Sequence, residues 1–192
     1  ADQNGNIGIV YKELGIADSS LKHHLQSLKI HQKIKDKRGV ANDYGNIGVV
    51  NLELLNKFDE ALKFYKLSLE INKKIGNKEG IANQQANIGI IYKELGRPDS
   101  ALIFYKNALE IHEEIGYRLG VANGLGNIGN AYRDLGQLEK ALEYQMKALE
   151  IDKEIDYKIG IAFDLCNIGD VFNDLGNYGD ALEYYQQSLE LF

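Results

Sequence analysis

The sequence predicts an all-α chain organised as an α-solenoid, with five helix-turn-helix units and about ten antiparallel helices stacked over 1–192 as one array. Three observations carry this expectation. Asn-Ile-Gly recurs at Asn6, Asn46, Asn87, Asn127 and Asn167, at spacings of 40, 41, 40 and 40 residues. Around each occurrence the apolar residues return at helical intervals, and almost nothing suggests strands. Finally, the 20 glycines exceed the ~13 that a usual share of ~7% would give, while Pro occurs once. Glycine-rich disorder normally brings Pro with it, and the hydrophobic fraction is an ordinary 44%, so the glycines have places in a folded chain.

The units run over 1–36, 37–77, 78–117, 118–157 and 158–192. In the first, Gly15 ends the first helix, where a left-handed residue is wanted. In the second, Asn56 takes that place. The extra residue behind the 41 spacing falls in Asn51-Leu52-Glu53-Leu54-Leu55, which predicts a local bulge or lengthened turn. The third unit turns at Gly96 and begins its second helix at Pro98, whose missing N–H is tolerated in a first turn. Ala101, Leu102, Tyr105, Ala108, Leu109 and Ile115 mark that helix's apolar face. The fourth unit turns at Gly136 and carries a long second helix through Glu150 to Ile155; the fifth turns at Gly176.

Gly8, Gly48, Gly89, Gly129 and Gly169 fall in helix interiors, where each costs about 0.5–1 kcal/mol relative to Ala. The expected return is close packing of the first helix on the small residue of its partner: Ser20, Ala61, Ala101, Ala141 or Ala181. Gly5, Gly45, Ala86, Gly126 and Cys166, three positions earlier, are expected to extend that contact, with Cys166 a small buried hydrophobe.

These residues resemble the tetratricopeptide repeat, whose pattern places a small residue in the first helix, an aromatic three later, then Ala, an aromatic and Ala along the second. The third unit has Gly89, Tyr92, Ala101, Tyr105 and Ala108; the fifth has Gly169, Phe172, Ala181, Tyr185 and Ser188. The fourth has Gly129, Tyr132, Ala141 and Ala148, with Gln145 at the aromatic place, and the first substitutes Ser20 and His24. The family's usual repeat is roughly 34 residues, and its frequent Trp and terminal Pro are missing here. The longer form looks like the repeats of the Pins and LGN polarity adaptors and of many prokaryotic regulators; kinesin light chain carries related long repeats. The resemblance implies a right-handed superhelix whose first helices line a concave face.

It also gives the Asn series a use. Asn6, Asn46, Asn87, Asn127 and Asn167 occupy helix interiors, where Asn is a weak former. In related repeats an Asn here reaches the main chain of a bound peptide; the alternative is an Asn that bonds a neighbouring helix or loop. Helices spaced about 8–10 Å apart and a peptide rising about 3.3 Å per residue would let one Asn meet the ligand every two or three residues. Other residues expected in the groove are Asn42, Asn83, Asn123, Asn130, Asp170, Lys12, Lys93, Arg133 and Asn173, with Phe163 replacing the earlier Asn in the fifth unit. The groove then grades from apolar (Ile9, Val49, Ile90) to acidic (Asp170, Asp174), which is expected to place a basic ligand residue near the fifth unit.

Other chemistries find no support. His24 is taken as a substitute at the aromatic place, with His23, His31 and His112 on the surface, and no zinc set is completed. Gly124-Leu125-Gly126-Asn127-Ile128-Gly129 matches G-x-G-x-x-G but follows no strand. Asp170 and Asp174 have no nucleophile or base beside them, so neither an enzyme nor a cofactor or metal is expected. A net charge of −6 disfavours nucleic acid and anionic membranes as partners, and no run of apolar residues is long enough to span a bilayer. One Cys fits a reducing, cytoplasmic setting. The expected function is therefore a protein-interaction module holding a peptide or segment of a partner protein in its groove. The alternative is a structural spacer or self-assembling array. The apolar edge at Leu182, Leu189, Leu191 and Phe192 lacks a polar cap, which suggests a fragment of a longer protein and end-to-end association between chains.

Overall fold

The structure is a computed structural model in which residues 1–191 are described. Among them are ten α-helices and no strand. They are α1 (Asp2–Glu13), α2 (Ala17–Lys33), α3 (Lys37–Glu53), α4 (Phe58–Ile75), α5 (Lys78–Glu94), α6 (Pro98–Glu114), α7 (Arg118–Asp134), α8 (Leu138–Glu154), α9 (Lys158–Asp174) and α10 (Tyr178–Leu189). The chain divides into two compact units, Ala1–Ile91 and Tyr92–Phe192. In the first, α1 pairs with α2 and α3 with α4, while α2 packs on α3 and α1 touches α3 directly. In the second, α7 pairs with α8 and α9 with α10; α6 packs on α7, α8 on α9, and α7 touches α9.

The turns follow the residues that punctuate them. Gly15 and Gly136 sit at φ 71° and 69°, and Asn56 adopts the same left-handed backbone at φ 50°. In most hairpins the turn closes on a carbonyl five residues back, as in Ile16 N–H to Tyr11 and Gln137 N–H to Tyr132. In the second repeat Lys57 N–H reaches Asn51, six back, so the extra residue lengthens the turn without disturbing the helices. Asn51 stands where the other repeats have an aromatic. Tyr11–His23, Tyr92–Phe104, Tyr132–Tyr144 and Phe172–Tyr184 meet across their hairpins at 5.2–5.4 Å between ring centres. Without that partner, Phe64 meets Tyr44 instead. The buried core comprises Ile47, Val50, Ala61 and Tyr65 in the first unit, and Ile128, Ala131, Ala141, Ile168 and Val171 in the second.

The mid-helix glycines serve a different contact from the one expected. A Cβ added at Gly48 would lie 2.5 Å from the Tyr65 ring, at Gly129 2.8 Å from Gln145, at Gly169 2.7 Å from Tyr185 and at Gly8 2.7 Å from His24. The wall is thus the large side chain one turn beyond the small residue, because side chains on the second helix lean back over the preceding turn. Ser20, expected as the contact itself, donates a hydrogen bond to the Gly8 carbonyl at 2.7 Å. Of the second glycines, Gly5 and Gly126 do not extend the close approach, since an added Cβ would find its nearest neighbour at 3.7 or 3.8 Å, whereas at Gly45 it would meet the Gln84 amide at 3.3 Å. Cys166 is only half-buried, and burial pushes its thiol above the ordinary range.

Two histidines expected at the surface are in the interior. His24 does fill the aromatic place, 1% exposed, but His31 and His112 are also buried. Each lies near the end of its helix, where the following helix lays Gly39 or Gly120 against the ring, so the junction encloses it. Leu182, Leu189 and Leu191 are exposed, as read from the sequence; Phe192 lies outside the described residues.

Candidate functional site

The direct contacts of α1 with α3 and of α7 with α9 give each unit a face made of first helices alone. The Asn series stands on these faces. Asn6 is exposed, beside an exposed Ile7, while Asn46, Asn87, Asn127 and Asn167 are half-buried in mid-helix, each beside a fully buried Ile. None of the five amides has a hydrogen-bond partner among the described residues. The Asn residues that do serve the scaffold look different: Asn51 bonds the Ile47 carbonyl at 2.8 Å and Asn72 the Ser68 carbonyl at 3.1 Å, both deeply buried. An amide in a helix interior that makes no internal bond keeps its donor and acceptor for solvent or a ligand.

Within the first unit, Asn6, Asn42 and Asn46 share a cleft of about 340 Å³ with Ile9, His31 and Asp43. Asn83 and Asn87 stand one turn apart on α5, exposed and half-buried. In the second unit, Asn123 and Asn127 occupy consecutive turns of α7, the first exposed, with Asn167 on α9. Lys93 lies beside Glu94 at 3.4 Å. Asn130 accepts a bond from Gln145 Nε2 at 2.8 Å, which ties it to the scaffold.

The acidic end is already filled. Arg133 bonds Asp170 at 2.7 Å and Asp174 at 2.6 Å, and Tyr185 Oη donates to the other oxygen of Asp170 at 2.8 Å. The guanidinium holds the Asp174 carboxyl below its usual range. The basic group expected from a ligand is therefore supplied by the protein itself. Lys12 makes the matching pair in the first unit, reaching Glu53 at 3.1 Å across to the next first helix. Partly exposed pairs of this kind are worth about 0–1 kcal/mol, little enough for a ligand to rearrange them.

A second set of polar residues was not singled out by the sequence. Just before each junction glycine, the preceding helix buries a polar residue: His31, Asn72, His112 and Asp152. His31 Nδ1 meets Asp43 Oδ2 at 2.6 Å, which brings both into the cleft beside Asn46. The corresponding pair in the second unit is Asp152 with Asp164, two hydrogen-bonded buried carboxyls. Desolvation, then the neighbouring Asp152, pushes the Asp164 pKa up to about 8, so this pair shares a proton at neutral pH. The available signal was register: all four polar residues stand eight positions before Gly39, Gly80, Gly120 and Gly160.

Stacked helical hairpins with a polar series along the first helices define a repeat scaffold of the interaction-module class. The tetratricopeptide repeat profile matches residues 3–74, 54–114, 80–154 and 120–192, and the chain belongs to that family. Among curated proteins no sequence matches significantly. Solved structures share the fold: BtubC from P. vanneervenii at TM-score 0.85 and 20% identity, over 99% of this chain and 78% of that one. The apo form of RapI follows at 0.77 and 21%, over 98% and 81%. A Rap protein complexed with competence and sporulation factor aligns at 0.77 and 18%, over 98% and 62%. Tetratricopeptide repeats are protein-interaction modules. No helix among the described residues is long and apolar enough to cross a membrane.

Proposed function

We propose that this protein binds an extended segment of a partner protein on the first-helix faces, with the Asn series bonding the segment's main chain. The observation that carries the reading is the unspent bonding capacity of Asn6, Asn46, Asn87, Asn127 and Asn167, set against the amides of Asn51 and Asn72, which bond within the scaffold. A side-chain amide offers one acceptor and two donors, which suits a peptide unit in either direction and asks nothing of its side chains. Specificity then rests on the flanking residues: the His31–Asp43 cleft in the first unit and the Arg133 cluster in the second. A Rap protein of the same fold, solved with competence and sporulation factor, is consistent with this use of the scaffold.

The test is selection of binders from a displayed random peptide library, followed by affinity measurement with Asn46→Ala/Asn87→Ala and Asn127→Ala/Asn167→Ala proteins. Helicity is checked by circular dichroism. The expected result is a loss of about tenfold or more in affinity for at least one pair, since each neutral bond contributes about 0.5–1.5 kcal/mol. Selected peptides that bind both variants as tightly as the parent would assign recognition to another surface.

A further inference from the structure

The repeats serve as internal controls for one another, and one place breaks the pattern. In the second unit, Glu113, Gly116, Arg118, Val121, Ile151 and Glu154 are among the residues lining a groove of about 600 Å³ where the end of α6 meets α7 and α8. In the first unit the equivalent groove, about 490 Å³, is lined by Gln32, Lys35, Lys37, Val40, Ile71 and Lys74, the same six positions in order. The apolar floor is retained, Val40 and Ile71 standing for Val121 and Ile151. The charge is inverted. Over these six positions the second unit carries two carboxylates and one cation, with Arg118 bonded to Glu154 across the groove. The first carries three lysines and no carboxylate, with Lys74 where Glu154 would close the pair.

Helix stability does not account for this arrangement. Cations suit the last turn of α4, where Lys74 also meets Glu70 on the outer surface at 2.5 Å. Lys37, however, begins α3, the end of a helix that disfavours a cation, and neither it nor Lys35 has an ion-pair partner among the described residues. Lys35 and Lys37 line the groove unpaired beside Lys74, whose charge Glu70 shares from the outer surface, and an anion placed among the three relieves the remaining repulsion. Apolar floor and cationic rim together specify an amphiphilic anion.

We infer that the groove between α2, α3 and α4 is a second docking site, distinct from the Asn faces, for an acidic peptide segment that places an aliphatic side chain on Val40 and Ile71 and its flanking carboxylates on Lys35, Lys37 and Lys74. The groove shares no lining residue with the cleft at Asn6, Asn42 and Asn46. A protein partner can therefore be held by main-chain contacts on one surface and by an acidic-aliphatic motif on another, a bivalent arrangement that raises avidity.

The test uses fluorescence anisotropy of the full chain at low ionic strength with a labelled peptide carrying two glutamates on each side of a leucine. Gln32→Glu/Lys35→Gly/Lys74→Glu installs residues the chain already uses at Glu113, Gly116 and Glu154, so folding is retained. The expected results are a loss of about tenfold or more in this variant and weakening by added salt. A loss of about tenfold is also expected when the peptide's leucine becomes glycine. Asn127→Ala/Asn167→Ala leaves this binding unchanged, which separates failure here from failure of the Asn faces. The inference is overturned by undiminished binding to the triple variant, by no saturable binding to the parent, by indifference to the leucine, or by equal binding of a thymidine oligonucleotide of matched charge.

Discussion

Gly48 and Gly126 both lie inside helices, three positions apart in the repeat register, and substitution by Ala should move stability in opposite directions. Either change gains about 1 kcal/mol of helix propensity. At Gly126 nothing stands nearer than 3.8 Å to the new methyl, so the gain is kept and the variant is stabilised by about 0.5–1 kcal/mol. At Gly48 the methyl would fall 2.5–2.6 Å from two carbons of the Tyr65 ring, which is 1% exposed and has no space into which to withdraw. Overpacking a closed core costs about 1–3 kcal/mol, which offsets or exceeds the propensity gain and leaves Gly48→Ala destabilised by up to about 2 kcal/mol. Urea denaturation followed at 222 nm reads both as midpoint shifts, and Gly48→Ala in a Tyr65→Leu background should recover most of its loss. A Gly48→Ala protein as stable as Gly126→Ala, with no coupling to Tyr65, would refute the reading of these glycines as seats for the facing side chain.

Three further outcomes are expected. The raised Asp164 pKa means that the folded state binds a proton the unfolded chain releases near pH 3.8; stability from this group is fully present below that pH and lost as pH rises through about 8. The melting temperature of Asp164→Asn relative to the parent should therefore climb between pH 4 and 8 and level off above, and a constant difference would dismiss the shared proton. Asp156 holds the left-handed turn that Gly76 and Gly116 hold in their repeats, at φ 53°, so Asp156→Gly should raise stability by about 0.5–1 kcal/mol in the same urea assay. Arg133→Ala frees Asp170 and Asp174 at a cost of about 1 kcal/mol or less; selection against this variant should shift library peptides toward Lys and Arg, and an unchanged consensus would place that cluster outside the binding surface.

Features set by one helix or one turn were legible in the sequence. The left-handed turns at Gly15, Gly136 and Asn56, the lengthened turn after Asn51 and the start of α6 at Pro98 depend on residues within a few positions of each other. The substitution of His24 for an aromatic was equally readable, because the repeat register alone fixes it. Contacts between hairpins were not. His31 with Asp43, Asp152 with Asp164 and Arg133 with Asp170 join residues 12 to 37 apart, and their pairing depends on how one hairpin seats on the next. That seating is why His31 and His112 are enclosed where a single amphipathic helix would leave them in water, and why the two acids of the last repeat face an arginine of the one before. The reversal of charge between Glu154 and Lys74 was visible in the letters, but gained meaning only once both were seen to line equivalent grooves.

The central claim is that the unbonded Asn amides hold a partner's main chain, and it is tested most directly by a double-mutant cycle between protein and peptide. A library-selected peptide is scanned with backbone amide-to-ester replacements, each removing one N–H donor while keeping the side chains, and every analogue is measured against the parent and the Asn127→Ala/Asn167→Ala protein. The account predicts that at one or more positions the ester weakens binding to the parent but not to the variant, with a coupling of about 1 kcal/mol. Ester and alanine effects that simply add at every position would contradict it.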